Sequence, residues 1–152
     1  MDIDKGRGNA NKLMTRLLHN LRSLSDLQLV EFDGGSLRNA IPRESVAEVV
    51  IAPIYDEAFV FDMMQIANEI KAEFKTTEPN LEITIEKSAT TPKMVMPSMA
   101  QFYLVRAIYT AHNGVYRMSA DFADLVETSN NIAKVTVGGG NLTIQCLTRS
   151  SV

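Results

Sequence analysis

Residues 33–44, Asp33-Gly-Gly-Ser-Leu-Arg-Asn-Ala-Ile-Pro-Arg-Glu44, limit what this chain can fold into more than any other stretch. Apolar strand patterns over 26–32 and 45–52 flank them. Pro42 cannot donate to a sheet ladder, so the two patterns are separate strands joined by a loop. The pair Gly34-Gly35 lets that loop take positive φ or lie close to another group. Asn39 adds an amide with two donors and one acceptor, between Arg38 and Arg43. Two readings stay open from the residues alone. One is a long hairpin connection with a polar tip; the other is a loop presenting Asn39, with Arg38, to a ligand carrying a carbonyl or carboxylate.

Around this loop the periodicities change in a regular way. Leu13, Leu17, Leu21 and Leu24 predict a helix over 9–24, capped by Asn9 or Asn11. Gly6-Arg7-Gly8 ahead of it reads first as a capping turn and second as an anion site at a helix N-terminus. Phe59, Met63, Ile66, Ile70 and Phe74 form one face of a helix over 55–75, ended by Glu78-Pro79-Asn80. Residues 81–86 alternate strictly and predict a strand whose polar face carries Glu82 and Glu86. A loop over 88–96 leads to a third helix opened by Pro97 and Ser98, with Ala100, Leu104, Ala107, Ile108 and Ala111 as its apolar stripe. Asn113-Gly114 ends it, and 115–119 reads as a short extended piece.

Strands over 125–137 and 142–148 then close a hairpin around Gly138-Gly-Gly-Asn141. The alternation of Leu142, Ile144 and Cys146 predicts that Cys146 points inward as a small core residue. Residues 126–131 are unusually polar for mid-strand and read as a bulge or an exposed, ligand-facing edge. Hairpins and helices alternate too irregularly for a parallel doubly wound sheet. The expected architecture is α+β, a two-layer sandwich of an antiparallel sheet with about three helices on one face.

Composition narrows the chemistry. With 152 residues, 45% hydrophobic and 22% charged, the chain fits one domain with a real core. A net charge of −3 offers no basic face for nucleic acid, and no apolar run reaches the ~20 residues of a membrane span. The single Cys146 excludes an internal disulfide framework and fits a reduced cytoplasmic setting. Only His19 and His112 are present, neither at ligand spacing with another histidine, so no metal site is expected in this chain. No serine sits in a nucleophile elbow, and no catalytic residue is assigned. By these residues alone the function stays open.

The chain closely resembles the aminoacyl-histidine dipeptidases, a family of zinc exopeptidases of the carnosinase type. The likeness runs, in family order, through residues 2–13, 33–44, Asn113-Gly-Val115, Val126-Glu-Thr-Ser129 and Cys146-Leu-Thr-Arg149. Thr148 stands where that family often has a larger aliphatic residue. The resemblance implies that residues 1–152 are a single lid and dimerisation domain, ferredoxin-like, inserted in a longer metallopeptidase. Its first strand, and a Gly-Gly-His-Ser-Gly run, would lie before residue 2. Zinc would be held by the catalytic domain of the same parent chain, where zinc-water attack on the peptide carbonyl of Xaa-His dipeptides such as β-alanyl-histidine would take place.

By position, the resemblance assigns two substrate-binding residues. Asn39 would contact the bound peptide, and Arg149 would hold the C-terminal carboxylate of the substrate. The implied partners are a dipeptide, the catalytic domain and a second copy in a homodimer, and this piece alone would be inactive. Two other readings stand beside it. One is a free-standing ferredoxin-like module binding a small anion at residues 6–11 and Arg38. The other is a deacylase of the same superfamily with a different substrate.

Overall fold

Helix α1 (Ala10–Ser25) starts one residue inside its predicted cap, where extended Asn9 accepts the Lys12 amide on its side chain at 3.2 Å. The computed structural model of the chain describes residues 3–151, without the side chains of residues 23–25. Leu17, Leu18 and Leu21 are buried with Leu13 packed beside them, while Leu24 of the predicted stripe lies outside the described side chains. The helix ends at Asp26 in the left-handed region (φ 49°), which delays the first strand. That strand, β1 (Gln28–Gly34), is followed by β2 (Ser45–Val50), a 3-10 turn at Pro53–Tyr55, and α2 (Asp56–Phe74). The remaining elements are α3 (Ser98–Thr110), β3 (Gly114–Met118), β4 (Val126–Gly138) and β5 (Asn141–Ser150).

All strand pairings are antiparallel, and the helices supply the second layer, as expected for α+β. Strand β4 is the axis of the sheet. Strand β5 runs along one of its edges from Thr128 to Gly138. On the other edge β1 pairs with Val135–Val137 and β3 with Val126–Asn130. Strand β2 then lies outside β1. The hairpin between β4 and β5 turns through Gly139 and Gly140, both at positive φ, the geometry a two-residue turn requires.

The core joins α1, α2 and α3 to the sheet through Phe59, Met63, Ile66, Ile70, Leu104, Val105, Ile108, Phe32, Ile132, Val135 and Val137. Four expectations are corrected here. Residues 81–86 form no strand, although Leu81 and Ile83 pack on the core and Glu82 and Glu86 stay exposed. The edge of β1 that a strand could take is used instead by Met96, whose amide donates to the Leu29 carbonyl at 2.7 Å. Gln101 takes the rest: its Oε1 accepts the Leu29 amide at 2.8 Å and its Nε2 donates to the Leu27 carbonyl at 2.9 Å. That bonding draws Gln101 inward and turns Ala100 and Ala107 to solvent, so the buried face of α3 is rotated from the predicted stripe.

Cys146 is exposed rather than in the core. It pairs with buried Ile132, but β5 is an edge strand and the helices stop short of it, leaving Leu142 and Ile144 exposed as well. An aromatic disulfide reagent should therefore titrate one thiol in the native chain at a rate within about tenfold of that in denaturant. A native thiol protected by orders of magnitude more would contradict the exposed edge. Of the two readings of residues 126–131, the exposed edge is the one corrected, because Ser129 and Asn131 are buried; the bulge stands, since the pairing with β3 slips between Thr128 and Val126.

Candidate functional site

Between the segment of β4 paired with β3 and the segment paired with β1, one edge of the strand has no partner strand. Buried backbone groups there need other partners. Asparagine suits this need, since its side-chain amide carries the donor and acceptor of a peptide group. The Ile132 amide donates to Asn113 Oδ1 at 2.9 Å. The Ile132 carbonyl accepts from Asn9 Nδ2 at 3.1 Å and from Asn11 Nδ2 at 3.3 Å. Asn9 Nδ2 also reaches Asn113 Oδ1 (2.9 Å) and Asn131 Oδ1 (3.2 Å), and Asn11 Nδ2 reaches the Gly34 carbonyl (3.3 Å). Side chains from the start of α1 and from the link between α3 and β3 thus replace a missing length of strand.

The loop over 35–44 is fastened to this gap. Gly35 sits at φ +77° against the Ala133 carbonyl, in the bulge of β4 between Ile132 and Lys134. Asn131 Nδ2 donates to the Ala40 carbonyl at 2.7 Å. The Pro42 carbonyl accepts the Ala10 amide at 3.0 Å, satisfying an N-terminal N–H of α1. Arg43 makes two parallel bonds to the carboxylate of Glu78, which is 7% exposed. The same carboxylate accepts the Gly8 amide at 3.1 Å and lies 3.8 Å from Arg7. The anion held by the Gly6-Arg7-Gly8 turn is therefore the protein's own Glu78, which removes the opening on which a small-anion module would depend.

Electrostatics follow from these contacts. The Arg43 hydrogen bonds, opposed by burial and aided by the Gly8 amide and Arg7, hold the Glu78 carboxyl below the usual carboxylate range. Burial lowers the Lys12 ammonium, whose Nζ donates to the carbonyls of Ile108, Tyr109 and Ala111 at 2.7–2.9 Å. Lys12 thereby closes the C-terminal turn of α3, the end where the helix dipole favours a cation.

Asn39 and Arg38 stand exposed at the tip of the loop, in a turn closed by the Ala40 amide on the Leu37 carbonyl at 3.2 Å. Arg149 stands exposed on β5, opposite Ser129. The side chains of Asn39 and Arg149 have no hydrogen-bond or ion-pair partner among the described residues. Although 110 positions apart in the chain, they are linked by register. Ser129 and Asn131 share one face of β4, Arg149 and Leu147 lie opposite them on that face, and Asn131 holds the residue after Asn39.

Two clefts of about 250 and 340 Å³ meet at Ile3, the first walled by Arg149 and Ser129, the second by Arg7, Asn113 and Ile41. Neighbouring Thr148 donates to Asn130 Oδ1 at 2.9 Å, which gives the hydroxyl a use that an aliphatic side chain would lack.

Neither histidine belongs to this site. His19 stacks on Tyr109 at 4.5 Å, and His112 lies tilted against Tyr116 at 3.9 Å with Nε2 3.2 Å from the Val115 carbonyl. Among the described residues no three His, Cys, Asp or Glu side chains gather as metal ligands. None of their helices is long and apolar enough to cross a membrane. Sequence reasoning found Asn9 as a cap but missed its tertiary bonds; it placed the end of the third helix at Asn113, whereas α3 stops at Thr110 with Ala111 as its C-cap and Asn113 serves the sheet instead. The signal available was the grouping of asparagines in short segments, at 9 and 11 and at 130 and 131, with a further one at 113.

The cytosol non-specific dipeptidase of Escherichia coli (strain K12) is 34% identical over 151 residues, covering 99% of this chain and 31% of that protein. The crystal structure of aminoacylhistidine dipeptidase from Vibrio alginolyticus superposes with a TM-score of 0.94 at 36% identity, over 99% of this chain and 31% of that one. The chain thus spans about a third of the length of both proteins. The sequence profile of the peptidase dimerisation domain matches residues 1–82, more than half of the chain. With the fold agreeing along its whole length, the chain belongs to the peptidase dimerisation domain family.

Proposed function

We propose that this chain is the lid and dimerisation domain of a longer cytoplasmic, zinc-dependent dipeptidase that hydrolyses Xaa-His dipeptides such as β-alanyl-histidine. In this reading residues 1–152 form one inserted domain without activity of its own. Asn39 donates to the peptide carbonyl of the substrate, and the Arg149 guanidinium pairs with its C-terminal carboxylate. Among the described residues no group of side chains fits a metal centre, and in this reading the zinc is held by the catalytic domain of the parent. The observation that carries the reading is the likeness over 99% of the chain to two dipeptidases. Two exposed, unpartnered polar side chains linked through Asn131 add to it. For the subunit contact, support comes from Val46 on β2, Ile54 in the 3-10 turn and Phe61 on α2, large apolar side chains 64–84% exposed.

The test is Arg149→Ala in the full-length parent. A bidentate charge-assisted pair is worth about 1.5–3 kcal/mol, so kcat/KM for Xaa-His dipeptides should fall by roughly 10–100-fold, mostly through KM. Unchanged kcat/KM would remove the carboxylate-holding role.

A further inference from the structure

We propose that Asn131 is a positioning residue that sets the substrate-facing loop against the strand pair carrying Arg149; this rests on the dipeptidase reading above. Asn131 is 1% exposed, in mid-strand, where an apolar side chain would ordinarily pack. Its Nδ2 donates to the carbonyl of Ala40, the residue after Asn39, at 2.7 Å. Its Oδ1 accepts from Asn9 Nδ2 at 3.2 Å, which fixes the amide orientation so that the donor faces the loop. Asn9 is in turn held by Asn113 Oδ1 and the Ile132 carbonyl.

The tip of the loop has few other restraints. Between residues 36 and 41, the hydrogen bonds among the described residues are the Ala40–Leu37 turn and the bond from Asn131. The turn is internal to the loop and moves with it. Asn131 therefore decides where Asn39 stands relative to β4. On that strand the neighbour of Asn131 across the ladder is Leu147, two residues from Arg149 on the same face. One buried amide spans the two proposed contacts, and losing its donor frees the tip between Gly35 and Pro42 without touching a group that binds substrate.

The experiment is a double-mutant cycle in the full-length enzyme with N39A and N131D. The latter keeps the shape of the side chain and its acceptor to Asn9, but in its ionised form has no donor for Ala40. N131A carries the same test should N131D not fold. The expected result is that N131D raises KM for an Xaa-His dipeptide about tenfold, with kcat within about twofold, and adds nothing in the N39A background. A merely structural role would reduce the active fraction, lowering kcat and leaving KM unchanged. That pattern, or full additivity of N131D with N39A, would overturn the positioning role while leaving the dipeptidase reading intact. If N39A and Arg149→Ala are both silent, the dipeptidase contacts fail, and the positioning role with them.

Discussion

Gly35→Ala should cost this domain about 4–5 kcal/mol, close to its whole stability, and either prevent folding or lower Tm by more than about 10 °C. Two separate penalties meet at this residue. Its φ of +77° lies in the left-handed region, which alone costs an L-residue with a side chain about 1–2 kcal/mol. A Cβ there would also sit 1.9 Å from the Ala133 carbonyl oxygen and 3.0 Å from its carbon. Those are backbone atoms of the β4 bulge, so relief requires moving the central strand rather than turning a side chain. Gly139 supplies the control, because its φ is +58° but a Cβ there would meet nothing within 4 Å. Gly139→Ala should therefore show the conformational penalty alone, about 1–2 kcal/mol. Thermal melts followed by far-UV circular dichroism check both variants. Equal Tm losses would mean that the packing of Gly35 on Ala133 has been misjudged.

Arg43→Ala should lower stability by about 2–3 kcal/mol at neutral pH, or roughly 5–10 °C in Tm. The arginine itself is more than half exposed, so little packing is lost. The cost falls on Glu78, left with a buried carboxylate that keeps only the Gly8 amide at 3.1 Å and Arg7 at 3.8 Å. The effect must also depend on pH. The folded-state pKa of Glu78 is depressed below the ordinary 4.5, chiefly by the Arg43 hydrogen bonds. Its contribution is thus complete above about pH 4.5 and is lost as pH falls through the lower folded value. The difference in Tm between wild type and Arg43→Ala should be full at pH 7 and shrink toward pH 3. A difference independent of pH would show that the pair contributes through packing alone.

These two expectations concern the same loop, and they show what pattern could and could not disclose. The segment from Asp33 to Glu44 was legible as a loop because a Gly-Gly pair and a proline interrupt two apolar runs. Helices α1 and α2 were legible because Leu17 and Leu21, or Phe59, Met63, Ile66 and Ile70, recur at the helical period that buries one face. Where a long-range polar bond decided the outcome, pattern failed. Gln101 is buried although glutamine is ordinarily a surface residue, because the end of β1 needs a donor and an acceptor that no strand provides. Cys146 alternates like a core residue, yet β5 runs beyond the reach of the helices. Residues 81–86 alternate like a strand, and the place beside β1 is taken by Met96 and Gln101.

The sequence by itself determined much of the local structure: three amphipathic helices, the loop between two strands, and the tight turn at Gly139-Gly140. Periodicity and turn chemistry are properties of neighbouring residues and can be read one window at a time. Only the tertiary structure decided that Asn9, Asn11 and Asn113 serve as a length of strand, and that Glu78 is the anion held by the first turn. Only it decided, too, that the residue after Asn39 is tied to the strand opposite Arg149. Each of these is set by which buried backbone groups lack partners once the sheet is assembled, and that shortage does not exist until segments up to about 120 residues apart have met.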